Sequence, residues 1–414
     1  MNLRSLSLIV FVLFGAFVPD SKAAEFHLSG AAFDFDDDPS IEVTGLQPDS
    51  EFVMTLNITD ASDVDWFGQS VFRSNAEGRI HTRHHAPVRG MYQGVSASAP
   101  FWSMIGGDRF STHDDANGTV TISSVSGDIL ARRSFVWTSP RSPDRTRSER
   151  INFAGLNTTL YLPAEAQSEY LPIILFGGSG GGTNHERASL LATHGYAVID
   201  VAYFNADGTP DYFLETIPLE RFANVIDFVV SDDRLMADRL VLMGRSYGAQ
   251  LALSLAVYDQ RVAGVIVEAP SNMITSTPAT YPYGSSQSAW SVNGQPLAYH
   301  TGEYTPQSET LIPIEQFGGA LLMLSGEEDA IWPATDMAEA LSERRVAAGM
   351  NSNTKHLGFP DAGHNFGGGE QSYGIPNLPP RNRNGSSGGS VAGNSEAAIL
   401  AWAATLGFLD DFRK

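Results

Sequence analysis

Acyl transfer through a serine needs a nucleophile, a base and an acid, and this sequence offers them in the order Ser246, Asp329, His364. Ser246 lies in Gly244-Arg245-Ser246-Tyr247-Gly248, between the apolar run Leu240 to Met243 and the Leu/Ala-rich run Ala249 to Leu253. A strand that turns sharply into a helix is the setting of a nucleophile elbow, which holds the serine out above the sheet. Glycines at 244 and 248 let neighbouring backbone pass close by. The helix N-terminus favours the negative charge that develops during acyl transfer. His364 follows a short strand expected over Thr354 to Phe359, in Pro360-Asp361-Ala362-Gly363-His364. It would take the serine proton and later deliver it to the leaving group. The acid that orients the histidine is expected in the loop after the buried run Ala320 to Leu324. Glu327, Glu328 and Asp329 stand there, and Asp361 is also near His364.

The buried strand expected over Leu171 to Phe176 runs into Gly177-Gly178-Ser179-Gly180-Gly181-Gly182. This loop lacks the Gly-Lys-Ser/Thr ending of a P-loop and the spacing of a dinucleotide fingerprint. In a hydrolase of this order, the loop after the third strand gives one backbone N–H to the oxyanion hole and the residue after the nucleophile gives another. Ser179 and Tyr247 are the expected donors. Such a mechanism requires neither metal nor nucleotide, so no cofactor is expected.

The elements that must position these groups fall in residues 149–414, where short apolar strands alternate with helical patterns. Strands are expected at Thr158 to Leu162, Tyr196 to Val201 and Val262 to Val267, and a helix at His185 to Thr193. The alternation predicts an α/β-hydrolase domain built on a parallel sheet covered on both faces. Residues 25–138 instead alternate with period two around Gly45, Pro48, Gly78 and Asn117-Gly118, which predicts an antiparallel β-sandwich. Residues 139–148, with Pro140 and Pro143, read as a linker whose Arg141, Arg145 and Arg147 either contact an anionic substrate or merely connect the domains. The Gly/Asn/Ser stretch 381–394 reads as a flap or a surface loop. Two clusters invite a metal reading, Asp34 with Asp36, Asp37 and Asp38, and His81 with His84 and His85. Neither has the ligand pattern of a known site, so a solvated acidic turn and an exposed loop are expected.

At 414 residues two domains are the natural expectation. Acidic residues outnumber basic ones 47 to 26, a net charge of −21. Nucleic acid is therefore not an expected partner, because phosphate contacts need a basic surface. There is no cysteine, which excludes thiolate chemistry and disulfides. Residues 1–23 read as an export signal: Arg4, the apolar stretch Leu6 to Val18, and Ser21-Lys22-Ala23 as a cleavage site. The apolar stretch is shorter than a membrane span needs, so a secreted or periplasmic protein acting on a small acyl ester or thioester is expected.

The order of motifs resembles the acyl-CoA thioesterase and bile acid-CoA:amino acid N-acyltransferase family over nearly all of residues 25–414. In the first domain the likeness rests on Gly90-Met91-Tyr92-Gln93-Gly94-Val95 and Phe101-Trp102-Ser103-Met104. In the second it rests on Gly177 to Gly181, Leu190-Leu191-Ala192, Ala202-Tyr203-Phe204, Pro218-Leu219-Glu220, the Ser246 motif, Asp329 with Trp332-Pro333, and Ala362-Gly363-His364. The resemblance implies an immunoglobulin-like N-terminal domain and hydrolysis of acyl thioesters with Ser246, Asp329 and His364 as the triad. It also selects Asp329 over its acidic neighbours. The acyltransferase branch carries cysteine where Ser246 stands, so hydrolysis is the expected branch. After His364 the family tends to continue into an apolar, proline-containing segment, whereas this chain runs Asn365-Phe366-Gly367.

Overall fold

The computed structural model describes residues 23–37, 39–277, 286–302, 304, 307–366, 375–379 and 386–414. The export-signal reading of residues 1–23 therefore falls almost wholly outside the described residues, as do Asp38 and residues 381–385.

Residues 25–138 form two β-sheets around one apolar core. The larger has its strands in the order 32–34, 129–138, 116–124, 51–59, 65–73, 89–90, and the smaller in the order 25–28, 41–44, 80–81. Alternation makes the layer: Glu51–Thr59 buries every second residue, Phe52, Met54, Leu56 and Ile58, as a strand with one wet face must. The segment Ala32–Asp34 runs parallel to its neighbour, and the other pairings in both sheets are antiparallel. Phe33, Phe101, Phe135 and Trp137 pack at ring-centroid distances of 5.1–6.3 Å, one pair stacked and the others tilted or edge-on.

The second domain is an eight-stranded sheet. Its strands are β1 (Thr146–Phe153), β2 (Leu156–Pro163), β3 (Pro172–Phe176), β4 (Ala197–Ala202), β5 (Leu240–Arg245), β6 (Val262–Glu268), β7 (Ala320–Gly326) and β8 (Thr354–Phe359). They lie in the order β1-β2-β4-β3-β5-β6-β7-β8. The helices used below are α1 (His185–Thr193), α2 (Glu220–Ser231), α3 (Tyr247–Tyr258), α4 (Ala334–Ala347) and α5 (Val391–Arg413). From β4 to β8 the pairing is parallel. β3, β4 and β5 are buried at every position, as strands covered on both faces must be.

Three expectations need correction. The sheet is mixed, because β1 and β2 form an antiparallel hairpin and β2 pairs antiparallel with β4. The linker ends sooner than residue 148, since β1 begins at Thr146. This exposed edge strand carries Arg147, Glu149 and Arg150, charges that guard a sheet edge against further pairing. Of its arginines, Arg145 is bound to Asp34 and Arg147 donates to the Tyr170 hydroxyl at 3.2 Å. The acidic turn, finally, is a junction and not a solvated one. Asp36 accepts from Trp402 Nε1 at 2.8 Å and contacts His194 Nε2 at 2.5 Å, both from the second domain. Arg109 with Glu186 at 2.9 Å and Ser96 with Glu396 at 2.7 Å extend the same seam.

Candidate active site

Ser246 has φ 55° and ψ −121°, a strained conformation for a residue with a side chain. The surroundings enforce it. A Cβ on Gly244 would lie 2.1 Å from the carbonyl oxygen of Gly248, and one on Gly248 would lie 2.2 Å from that of Gly177. The elbow, the first turn of α3 and the glycine loop are therefore packed backbone on backbone. The Ser246 N–H donates to the carbonyl of Glu268 at 3.0 Å, tying the elbow to the end of β6.

The glycine loop folds over the nucleophile. An ideal Cβ at Gly178 would be 3.5 Å from Ser246 Cβ. The buried Tyr203 hydroxyl lies 2.9 Å from the carbonyl of Gly177 and 3.1 Å from that of Gly178. A trans peptide aims its N–H opposite to its carbonyl. With the Gly178 carbonyl fixed on Tyr203, the Ser179 N–H is turned to the other side of the loop. Tyr247 opens α3, so its N–H has no partner within the helix, while its hydroxyl donates to the Ser276 carbonyl at 2.7 Å.

The structure brings three of the sequence candidates together. His364 Nε2 is 2.9 Å from Ser246 Oγ, and His364 Nδ1 is 2.7 Å from Asp329 Oδ2. A carboxylate only accepts, so Nδ1 carries the proton and the serine hydroxyl donates to the Nε2 lone pair. Asp329 is fixed in turn, because its Oδ1 accepts the N–H of Ile331 at 2.8 Å and that of Trp332 at 3.1 Å. The Trp332 ring stands edge-on to the imidazole with centroids 5.0 Å apart. All three side chains are buried. Burial holds the His364 pKa below the ordinary histidine value; the hydrogen bond and charge of Asp329 oppose this, and Arg245 adds to it. The shift favours the neutral ring, the state a base requires.

The competing acids stand elsewhere. Glu327 and Glu328 are exposed, and Asp361 accepts from the Ser390 hydroxyl. The histidine cluster closes on itself, with the His81 N–H donating to His85 Nδ1 at 2.8 Å and the His81 and His84 rings 4.7 Å apart. Among the described residues no group of three or more His, Cys, Asp or Glu side chains could hold a metal ion.

The described part of stretch 381–394 is neither flap nor surface loop, and its last residues already belong to α5. Ser387 accepts the His364 N–H at 2.7 Å, and Asn394 Oδ1 accepts the Gly363 N–H at 2.9 Å. Gly388 has φ +85°, and a Cβ there would sit 1.8 Å from the Glu328 carbonyl. The segment is a bracket under the histidine loop, which composition alone could not reveal. Gly388→Ala is expected to cost about 1–3 kcal/mol in backbone strain alone. By displacing His364 on the order of 1 Å it should also lower kcat about 10²-fold. Thermal unfolding and kcat measured on one preparation check both effects.

Comparison with known proteins bears on the family of the chain. The family model described as "BAAT / Acyl-CoA thioester hydrolase C terminal" matches residues 217–412, which include Ser246, Asp329 and His364. The model described as "Acyl-CoA thioester hydrolase/BAAT N-terminal region" matches residues 36–132. Acyl-coenzyme A amino acid N-acyltransferase 1 of Mus musculus is 25% identical over 349 residues, covering 80% of this chain and 83% of its own. Bile acid-CoA:amino acid N-acyltransferase of Homo sapiens is 27% identical, with 80% and 84% covered. Acyl-coenzyme A thioesterase 1 of Homo sapiens is 24% identical, with 80% and 82% covered. With both family models matched in order along one chain, this protein belongs to the acyl-CoA thioester hydrolase and bile acid-CoA:amino acid N-acyltransferase family.

Proposed function

We propose that the protein is a serine hydrolase of acyl thioesters that releases a free carboxylic acid through a seryl acyl-enzyme. The observation that carries this reading is the unbroken hydrogen-bond chain Asp329–His364–Ser246, ending on a strained serine at a helix N-terminus. His364 takes the hydroxyl proton as Ser246 Oγ bonds to the carbonyl carbon. The tetrahedral oxyanion is met by the N–H groups of Ser179 and Tyr247 and by the α3 dipole. The intermediate collapses, and the departing sulfur leaves with the proton from His364. Water then surrenders a proton to His364 and attacks the ester carbon, and the acid leaves as Ser246 regains its hydrogen.

The nucleophile favours water as acceptor. A serine forms an oxygen ester, which an amine attacks less readily than the thioester that cysteine would form. We infer in addition that residues 25–138 are an immunoglobulin-like domain and that residues 1–23 direct export. An exported site meets little coenzyme A, and that supports a second reading: the same triad acting as a carboxylesterase on oxygen esters.

The two readings separate on kcat/KM for a short-chain acyl-CoA against the matched p-nitrophenyl ester. Parity or preference for the thioester is expected; a preference for the ester by orders of magnitude would replace the first reading with the second. Failure of a fluorophosphonate probe to label Ser246 in the folded protein would overturn both, leaving a binding protein with a silent hydrolase fold.

A further inference from the structure

The residue before the nucleophile points away from bulk water. Arg245 ends β5, is buried, and sends its guanidinium across to the loop that carries the base. Nη2 donates to the main-chain carbonyl of His364 at 2.7 Å and to the side-chain amide oxygen of Asn365. Each loop thus supplies one member of a pair. The nucleophile elbow gives the donor beside Ser246, and the histidine loop gives the acceptors at and just after His364.

We propose that Arg245 is a positioning residue that fixes His364 over Ser246 by clamping the histidine loop to the nucleophile elbow. Both bonds come from Nη2, whose two N–H groups are held in the rigid guanidinium plane, so two acceptors on adjacent residues fix the direction of the loop as well as its distance. The clamp acts on the main chain of His364, while Asp329 and Ser246 act on its ring. Ser387, which accepts the His364 N–H, braces the same residue from the other side. With backbone and ring both held, the Nε2 lone pair keeps its aim at the hydroxyl. The clamp is also a charge. Among the described residues, the charges that act on the imidazole are Asp329 on the loop after β7 and Arg245 on β5, while Tyr247 on α3 and Tyr304 on the segment between β6 and β7 meet the Trp332 ring beside it at 5.7 and 6.3 Å. Arg245 is the cation among them, and it disfavours protonation of His364.

The inference rests on the serine-hydrolase reading, and its test is arranged so that the two fail separately. Wild type, Arg245→Met, Arg245→Lys and Asn365→Ala are compared by fluorophosphonate labelling, by kcat and KM for one p-nitrophenyl ester, and by the pH dependence of kcat/KM. Arg245→Met is expected to lower kcat about 10²-fold, the order of effect of a 1 Å misalignment, with KM nearly unchanged. Its acid limb should move to higher pH, because a positive charge is removed from beside the imidazole. Arg245→Lys keeps the charge and loses the fork, so its acid limb should stay at the wild-type position while kcat falls by a smaller factor. Adding Asn365→Ala to Arg245→Met should cost less than the two single losses combined. A wild type that is not labelled overturns the hydrolase reading itself. A labelled wild type, with Met and Lys variants that keep kcat within about threefold, overturns the clamp. So does a Met variant of low kcat whose acid limb has not moved, since a general packing role predicts that result. If the Met variant does not fold, the Lys variant and Asn365→Ala decide: wild-type kcat in both overturns the proposal.

Discussion

Replacing Ser246 with alanine is expected to lower kcat about 10⁶-fold, the scale of loss when a serine nucleophile is removed from a triad, and to abolish fluorophosphonate labelling. The fold should survive. Alanine keeps the Cβ that the elbow already accommodates at φ 55°, and what it removes is the hydroxyl's bond to His364 Nε2 at 2.9 Å. Losing one partner from a buried ring nitrogen costs about 1–3 kcal/mol, so a modest fall in melting temperature is expected beside the collapse in rate. What remains would be the contribution of the oxyanion donors and substrate binding, about 10³–10⁴ over water. A variant only about 10²-fold slower than wild type would mean that another group attacks the substrate. The pairing of an intact fold with a lost rate separates a chemical role for Ser246 from a packing role.

The candidate site residues were legible because each depends on a short stretch of sequence. β8 and α1 fall on the expected residues 354–359 and 185–193, since a continuous apolar run or a helical period needs only neighbours to be read. The two elbow glycines were likewise readable, and the approaches of 2.1 Å and 2.2 Å that a Cβ would make there give the steric reason. The features that sequence could not yield are those made by distant partners. Asp36 has the composition of a wet turn, and only folding places His194 and Trp402 against it. Gly388 and Asn394 look like loop filler until the histidine loop is laid on them. β1 was hidden among prolines and charges, because an exposed edge strand needs little apolar pattern of its own. Arg245 was visible as a letter of the motif, but its acceptors lie 119 and 120 residues away in the chain.

Asp329→Asn is expected to lower the plateau of kcat about 10⁴-fold with little change in fold. The physical cause is the proton on His364. With aspartate, Nδ1–H has an acceptor 2.7 Å away and Nε2 is left bare for the serine hydroxyl. An asparagine can present its N–H₂ to Nδ1, which drives the proton to Nε2 and leaves the imidazole unable to act as base, a change of tautomer worth about 10⁴ in rate. The pH profile adds a sign that tautomer loss alone does not give. The hydrogen bond and charge of Asp329 both hold the His364 pKa up against burial. Without them the pKa falls further, so the acid limb of kcat/KM should shift to lower pH even as the plateau drops. Glu327, Glu328 and Asp361 make an opposing forecast: if one of them served as the acid, the asparagine variant would stay within about tenfold of wild type with its acid limb in place. Measuring kcat/KM across pH for wild type and this variant decides which carboxylate orients the base.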